Sequence, residues 1–145
     1  MYPEGNEILI VDSEAARRQL CELVLAEEGF AVTAVAEGFS AIRAASCRRF
    51  ALTIAAVRLP GTLDGVTTAQ LVRARQPWLR ALFVDVGAHR PALPEDGCDE
   101  FIAAPFKGRE LLGCVFELLQ RENPALRDRD RAGWRAVVAR RGRSG

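Results

Sequence analysis

Apolar residues run along this chain in two alternating rhythms. Ile8-Leu9-Ile10-Val11 is a short unbroken apolar run, the pattern of a parallel strand covered on both faces. Ser13 then stands where a side chain can cap a helix. From Glu14 to Glu28 the spacing becomes helical and groups Ala16, Leu20, Leu23 and Val24 on one face, and Gly29 ends the segment. Ala31 to Ala36 reads as a second strand. Phe39 to Arg48 reads as a second helix with Ala41, Ile42 and Ala45 inward. Ala51 to Val57 is a third strand, broken off by Leu59-Pro60-Gly61. Asp64 is placed to cap a third helix that runs to Arg75, carries Val66, Ala69, Leu71 and Val72, and stops at Pro77. Ala81 to Val84 and the short Phe101 to Ala103 complete the strands, and Arg109 to Gln120 forms a strong final helix.

Between the last two strands the helical signal fades. Pro91 and Pro94 lie in this stretch, flanked by Gly87 and Gly97. A proline inside a helix costs about 3 kcal/mol. The expected fourth helix is therefore short, distorted or replaced by a loop. Alternation of strand and helix predicts an α/β protein with a doubly wound parallel sheet. Ligands of such sheets bind at the carboxyl ends of the strands. The positions of interest are thus Asp12 and Ser13, Ala56, Asp85, and Ala104 with Pro105.

Composition narrows the class. The 145 residues, 49% hydrophobic and 27% charged, suit one soluble globular domain. No run approaches the roughly 18 apolar residues of a membrane span, and no basic-then-apolar leader opens the chain, so a cytoplasmic protein is expected. Cys21, Cys47, Cys98 and Cys114 have no zinc-ligand spacing and read as small buried thiols. The charge is uneven. Residues 121–145 hold eight arginines against three acids, a local +5, which leaves −4 for the rest of a chain whose total is +1. This predicts a domain over residues 1–120 and a basic extension over 121–145, helical or disordered.

The strand-tip segments, taken in order, resemble one family. Ile-Leu-Ile-Val-Asp-Ser-Glu at 8–14 is similar to the opening of a response-regulator receiver (CheY-like) domain. The segments Ala51 to Gly61, with Asp64-Gly65, and Phe101-Ile102-Ala103-Ala104-Pro105-Phe106 resemble its phosphorylation strand and fifth strand. The resemblance covers about residues 6–120 and implies a flavodoxin-like five-stranded sheet in the order 2-1-3-4-5. It also implies phosphoryl transfer to an aspartate. That chemistry needs a carboxylate nucleophile, neighbouring acids to hold magnesium, and a lysine and a hydroxyl to stabilise the product.

This chain departs at nearly every such position. Ala56 stands at the acceptor, Ser13 at a metal-binding acid, Asp85 at the hydroxyl and Ala104 at the lysine, while Asp12 is kept. Residues 51–59 contain no acid, so a shifted alignment restores no nucleophile. The expectation is a degenerate receiver without catalytic residues or cofactor, acting in two-component or phosphorelay signalling through phosphorylation-independent protein contacts. Its partners would be a histidine kinase, another regulator or a second copy of itself. Alternatives are a ligand-binding or atypically phosphorylated regulator, or a transcription-regulator fragment whose output lies on another chain.

The remaining candidates are secondary. Asp12 and Asp85 form a weak cation site at best; otherwise they are solvated, or one pairs with Arg58 or Lys107. Lys107 reads as a surface residue. Phe101 matches the family's switch aromatic. Leu112, Val115, Phe116 and Leu119 of the final helix, with Trp134 of the tail, are interface candidates, on the face that the family forms from its fourth helix, fifth strand and fifth helix. His89, the only histidine, reads as a surface residue and not a phosphoryl carrier. No helix-turn-helix fits the tail, which makes nucleic acid a distant partner.

Overall fold

The structure, a computed structural model, describes residues 5–87, 92–93 and 97–121. Its elements run β1 (Glu7–Val11), α1 (Ala15–Glu27), β2 (Ala31–Val35), α2 (Gly38–Ala45), β3 (Leu52–Ala56), α3 (Gly65–Arg73), β4 (Arg80–Val86), β5 (Asp99–Ala104) and α4 (Gly108–Gln120). The strands pair in parallel in the order β2-β1-β3-β4-β5, the doubly wound order expected from the sequence. No described residue between β4 and β5 is helical. Pro91, Pro94 and His89 lie outside the described residues, as do the tail from 122 onward and Trp134.

The two-residue period of the strands divides the core into two layers. Ile8 and Ile10 of β1, Leu52 and Ile54 of β3, and Leu82 and Val84 of β4 face one side. There they meet Cys21 and Leu25 of α1 and Leu111, Val115, Leu118 and Leu119 of α4. Leu9, Val11, Ala55, Ala81 and Phe83 face the other side, against Ala41 of α2 and Ala69 and Val72 of α3. A sheet covered in this way favours apolar side chains on both faces, which is why β1 and much of β3 and β4 read as apolar runs.

Several sequence expectations need correction. α1 turns Cys21 and Leu25 inward and leaves Leu20 and Leu23 exposed, at 38% and 59%. The apolar stripe expected at 16, 20, 23 and 24 is thus rotated, because the helix packs its Cys21 and Leu25 face on the sheet. Ser13 is exposed and caps nothing; the N-cap residue is Glu14. Leu71 is likewise exposed on α3, and Cys47 is an exposed thiol, whereas Cys21 and Cys98 are buried. Asp64 caps α3 as expected, accepting from the Thr67 amide at 2.7 Å.

β4 and β5 begin earlier than hydrophobicity suggests, with the buried charges Arg80 and Asp99. Arg73 of α3 binds Asp99 with two side-chain nitrogens and donates Nε to the Leu79 carbonyl at 3.0 Å. Arg80 donates Nη2 to the Arg121 carbonyl at 2.6 Å, which ties β4 to the end of α4. Burial pushes the Arg80 guanidinium down to about 10.

The loop after β3 doubles back on its own strand. The Gly65 amide donates to the Val57 carbonyl at 2.9 Å, and a Cβ on Gly65 would lie 1.9 Å from the Ala56 carbonyl oxygen. Only glycine fits that approach. Gly65→Ala is expected to destabilise the domain by about 1–3 kcal/mol or more, read as a lower urea midpoint. An unchanged midpoint would show that the loop can retreat without cost.

Candidate functional site

The carboxyl ends of the strands gather the residues singled out from the sequence. β1 ends at Val11, and Asp12 follows with 3% exposure, its amide donating to Val35 at 3.0 Å. A carboxylate that is buried requires a compensating charge and filled acceptor sites. Arg17 supplies both with a fork: its Nε donates to Oδ2 and its Nη2 to Oδ1 at 2.9 Å. The Glu14 amide also donates to Oδ1, at 2.9 Å. Arg18 adds Nη1 to the Asp12 carbonyl oxygen at 2.8 Å. The carboxylate in turn raises the Arg17 pKa above its ordinary value, through the hydrogen bond first.

Asp85 lies at the end of β4, opposite Ala103 of β5, and is 7% exposed. Its Oδ1 accepts from the Val86 amide at 2.8 Å, and its Oδ2 is 3.4 Å from Nε of the exposed Arg58. Ala56 ends β3 with 2% exposure and a methyl group for a side chain. Ala104 ends β5 and is half-buried, joined to the exposed Pro105 through a cis peptide bond. Lys107 is exposed at the start of α4, where its amide donates to Glu110 Oε1 at 3.0 Å.

A magnesium ion does not fit these residues. Both Asp12 oxygens are occupied by a guanidinium, Ser13 is exposed and Ala56 offers no side-chain oxygen. Among the described residues no three metal-ligating side chains come together. A cleft of about 390 Å³ opens beside the Asp12–Arg17 pair. Its walls are mainly apolar: Leu20, Val86, Ala104, Pro105 and Phe106, with Glu14 and Arg17 at the polar end.

The other candidates separate. Phe101 is half-buried beside Phe83 and packs against the buried cluster on the α2–α3 side of the sheet. Val115 and Leu119 are fully buried core residues and are withdrawn as interface candidates, since α4 turns them onto the sheet. Leu112 and Phe116 are half-buried, Phe116 with its ring 5.9 Å from that of Phe30. Trp134 lies outside the described residues. The sequence reading missed Arg17. The available signal was its place in the first turn of a helix that starts at the strand tip, where a long cation can reach back. It also missed Val86, which is 62% exposed and, with Leu20, borders the cleft.

A five-stranded parallel sheet in this order, with a lone buried acid at the β1 tip, defines a receiver-like α/β domain. Residues 8–116 match the response regulator receiver domain, and the chain belongs to that family. It is 31% identical over 124 residues to the transcriptional regulatory protein CseB of Streptomyces avermitilis, covering 81% of this chain and 51% of that protein. It is 34% identical over 127 residues to the transcriptional regulatory protein GltR of Pseudomonas aeruginosa, covering 83% and 52%. The chain thus spans about half the length of the curated relatives it matches. Among solved structures, a response regulator receiver protein from Sinorhizobium medicae superposes with a TM-score of 0.69 at 25% identity, covering 77% of this chain and 92% of that one. The receiver domain of a sensor histidine kinase from Pseudomonas aeruginosa, with magnesium in its active-site cleft, gives 0.64 at 29% identity, covering 77% and 94%.

Two measurements probe the pair at the β1 tip. Arg17→Ala leaves a buried carboxylate uncompensated and is expected to cost roughly 2–4 kcal/mol of stability. Adding Asp12→Asn should recover part of that loss; a double variant as unstable as the single one would deny the coupling. The second measurement uses Cys21, one turn further along α1. Burial, and after it the nearby Asp12 charge, push its thiol up to about 12, against about 8.5 when unfolded. The thiol is neutral in both states below about pH 8.5, so its contribution is complete there. Above that the unfolded chain ionises first, and stability falls as the pH rises toward the folded value. Urea midpoints should therefore drop in this alkaline range, and more gently in Cys21→Ala.

Proposed function

We propose that this receiver domain does not accept a phosphoryl group and works through protein contacts that do not depend on phosphorylation. It is then a signalling module and not an enzyme, a degenerate member of its family in two-component or phosphorelay signalling in the cytoplasm. The observation that carries the reading is the pairing of Asp12 with Arg17. Phosphoryl transfer to a carboxylate depends on a metal ion that neutralises the phosphoryl oxygens. Here a guanidinium of the same chain has taken the acid that would hold such an ion. Ala56 at the acceptor position and Ala104 at the lysine position support the same reading.

The partner in this reading is a histidine kinase, another regulator or a second copy of the chain. With Val115 and Leu119 in the core, the described apolar residues that remain open to a partner include Leu20, Leu23 and Val86, two of which border the cleft. No helix of the described residues is long and apolar enough to cross a membrane.

The deciding experiment incubates the full chain with acetyl phosphate and magnesium and measures intact mass. No added phosphoryl mass is expected, and magnesium alone should leave the melting temperature unchanged. A gain of one phosphoryl group, mapped to any residue of the strand tips, would overturn the reading.

A further inference from the structure

The opposite edge of the sheet, where the strands begin, holds a second cavity, independent of the strand-tip chemistry. It measures about 290 Å³ and lies between the C-terminal ends of α2 and α3. Arg48, Arg49 and Arg75 line it, together with Ser46, Gln76 and Trp78. Only one of the three guanidiniums has an acid partner among the described residues: Arg48 is 3.5 Å from Glu7. Among the described residues, Arg49 and Arg75 thus bring two cations without an acid partner to one small concavity.

The floor beneath them is fixed. Gln76, 4% exposed, accepts from the Phe50 amide at 2.8 Å and donates to the carbonyls of Ala45 at 3.0 Å and Arg48 at 2.8 Å. Trp78 donates its indole N–H to the Phe50 carbonyl at 3.0 Å. Arg49 lies over the Trp78 ring, 5.7 Å from its centroid, which restrains that side chain as well. Helix C-termini ordinarily repel anions through their free carbonyls. Here Gln76 occupies the Ala45 carbonyl, and the Ser46 hydroxyl donates to the Arg43 carbonyl at 2.6 Å.

We propose that this pocket binds a small phosphorylated anion, through a phosphomonoester or diphosphate group. A phosphoryl group carries close to two negative charges and three strong acceptor oxygens, which suits the guanidiniums of Arg49 and Arg75 with that of Arg48 at the rim. A carboxylate presents two oxygens along one edge and would leave part of this donor set unused.

Titration calorimetry of the full chain with sodium pyrophosphate at low ionic strength tests the site. Saturable binding is expected for the unaltered chain. Arg49→Gln with Arg75→Gln should weaken it at least tenfold. Arg49→Lys with Arg75→Lys keeps the charge but loses the planar fork, and should weaken binding several-fold. Arg109→Gln, an exposed charge on α4, should leave it unchanged. The proposal is overturned if pyrophosphate does not bind, if either double variant binds as tightly as the unaltered chain, or if Arg109→Gln loses as much affinity. It is equally overturned if a short DNA duplex binds through Arg49 and Arg75 while pyrophosphate does not.

Discussion

A carboxylate that has lost its water must be given a cation. Asp12 stands at the tip of β1, where the sheet and α1 together exclude solvent from it, and Arg17 answers that requirement from the first turn of α1. The pair settles how α1 leaves the strand. Asp12 also accepts from the amide of Glu14, the N-cap residue, which ties the start of α1 to the strand tip while Ser13 stays exposed. The same fork holds the buried side of α1 against the sheet, so that Cys21 and Leu25 enter the core and Leu20 and Leu23 face outward. In families that load a metal at this tip, the ion satisfies the acid from outside. In this chain Arg17 pairs with the acid from within the fold.

The fold was legible because its physics is local and repetitive. A parallel sheet covered on both faces makes every strand an apolar run, and each run is followed by helical spacing or a breaker. β1, β3, α3 and the Asp64 cap could be read directly for that reason. Errors fell where tertiary charge pairing outweighs hydrophobicity. Arg80 and Asp99 look like loop residues in sequence, yet both sit inside strands, because Arg121 and Arg73 supply partners that lie 41 and 26 positions away. Helix faces were harder than helix positions. α1 carries more apolar residues than the sheet can cover, and only packing decides which are left out. Ala56 and Ala104 could be placed near strand tips from the sequence, since each stands at or next to the end of an apolar run. Arg17 could not, because its role exists only once the strand tip and the helix start are brought together.

Charge is placed with some consistency across the domain. The strand-tip edge balances its acids within the chain, Asp12 with Arg17 and Asp85 with Arg58. The opposite edge carries arginines in excess of acids around a pocket braced by Gln76. Arg80, pushed down to about 10 by burial, and the Arg121 ion pairs with Glu100 and Glu117 lie at this same edge, where α4 ends. Two edges of one sheet thus differ in kind. Among the described residues, one pairs its buried acids with arginines, and the other gathers more arginines than acids.

Positions 12, 56 and 104 at the strand tips are linked through desolvation. A nucleophilic acid at position 56 is tolerable only if a cation stands near, since that position is 2% exposed and an ionised carboxylate there would otherwise be stranded. A metal could provide the cation, but only with Asp12 free to hold it, and Asp12 is committed to Arg17. The long cation of a lysine at 104 could provide it, but Ala104 leaves an apolar cleft in its place. Restoring any one residue alone would therefore bury an unpaired charge or release one that the fold now compensates. Replacement of Ala56 by aspartate should raise the pKa of the new acid and cost stability before it gained any chemistry. Electrostatics thus couples these strand-tip positions, so that a change at one of them is felt at the others.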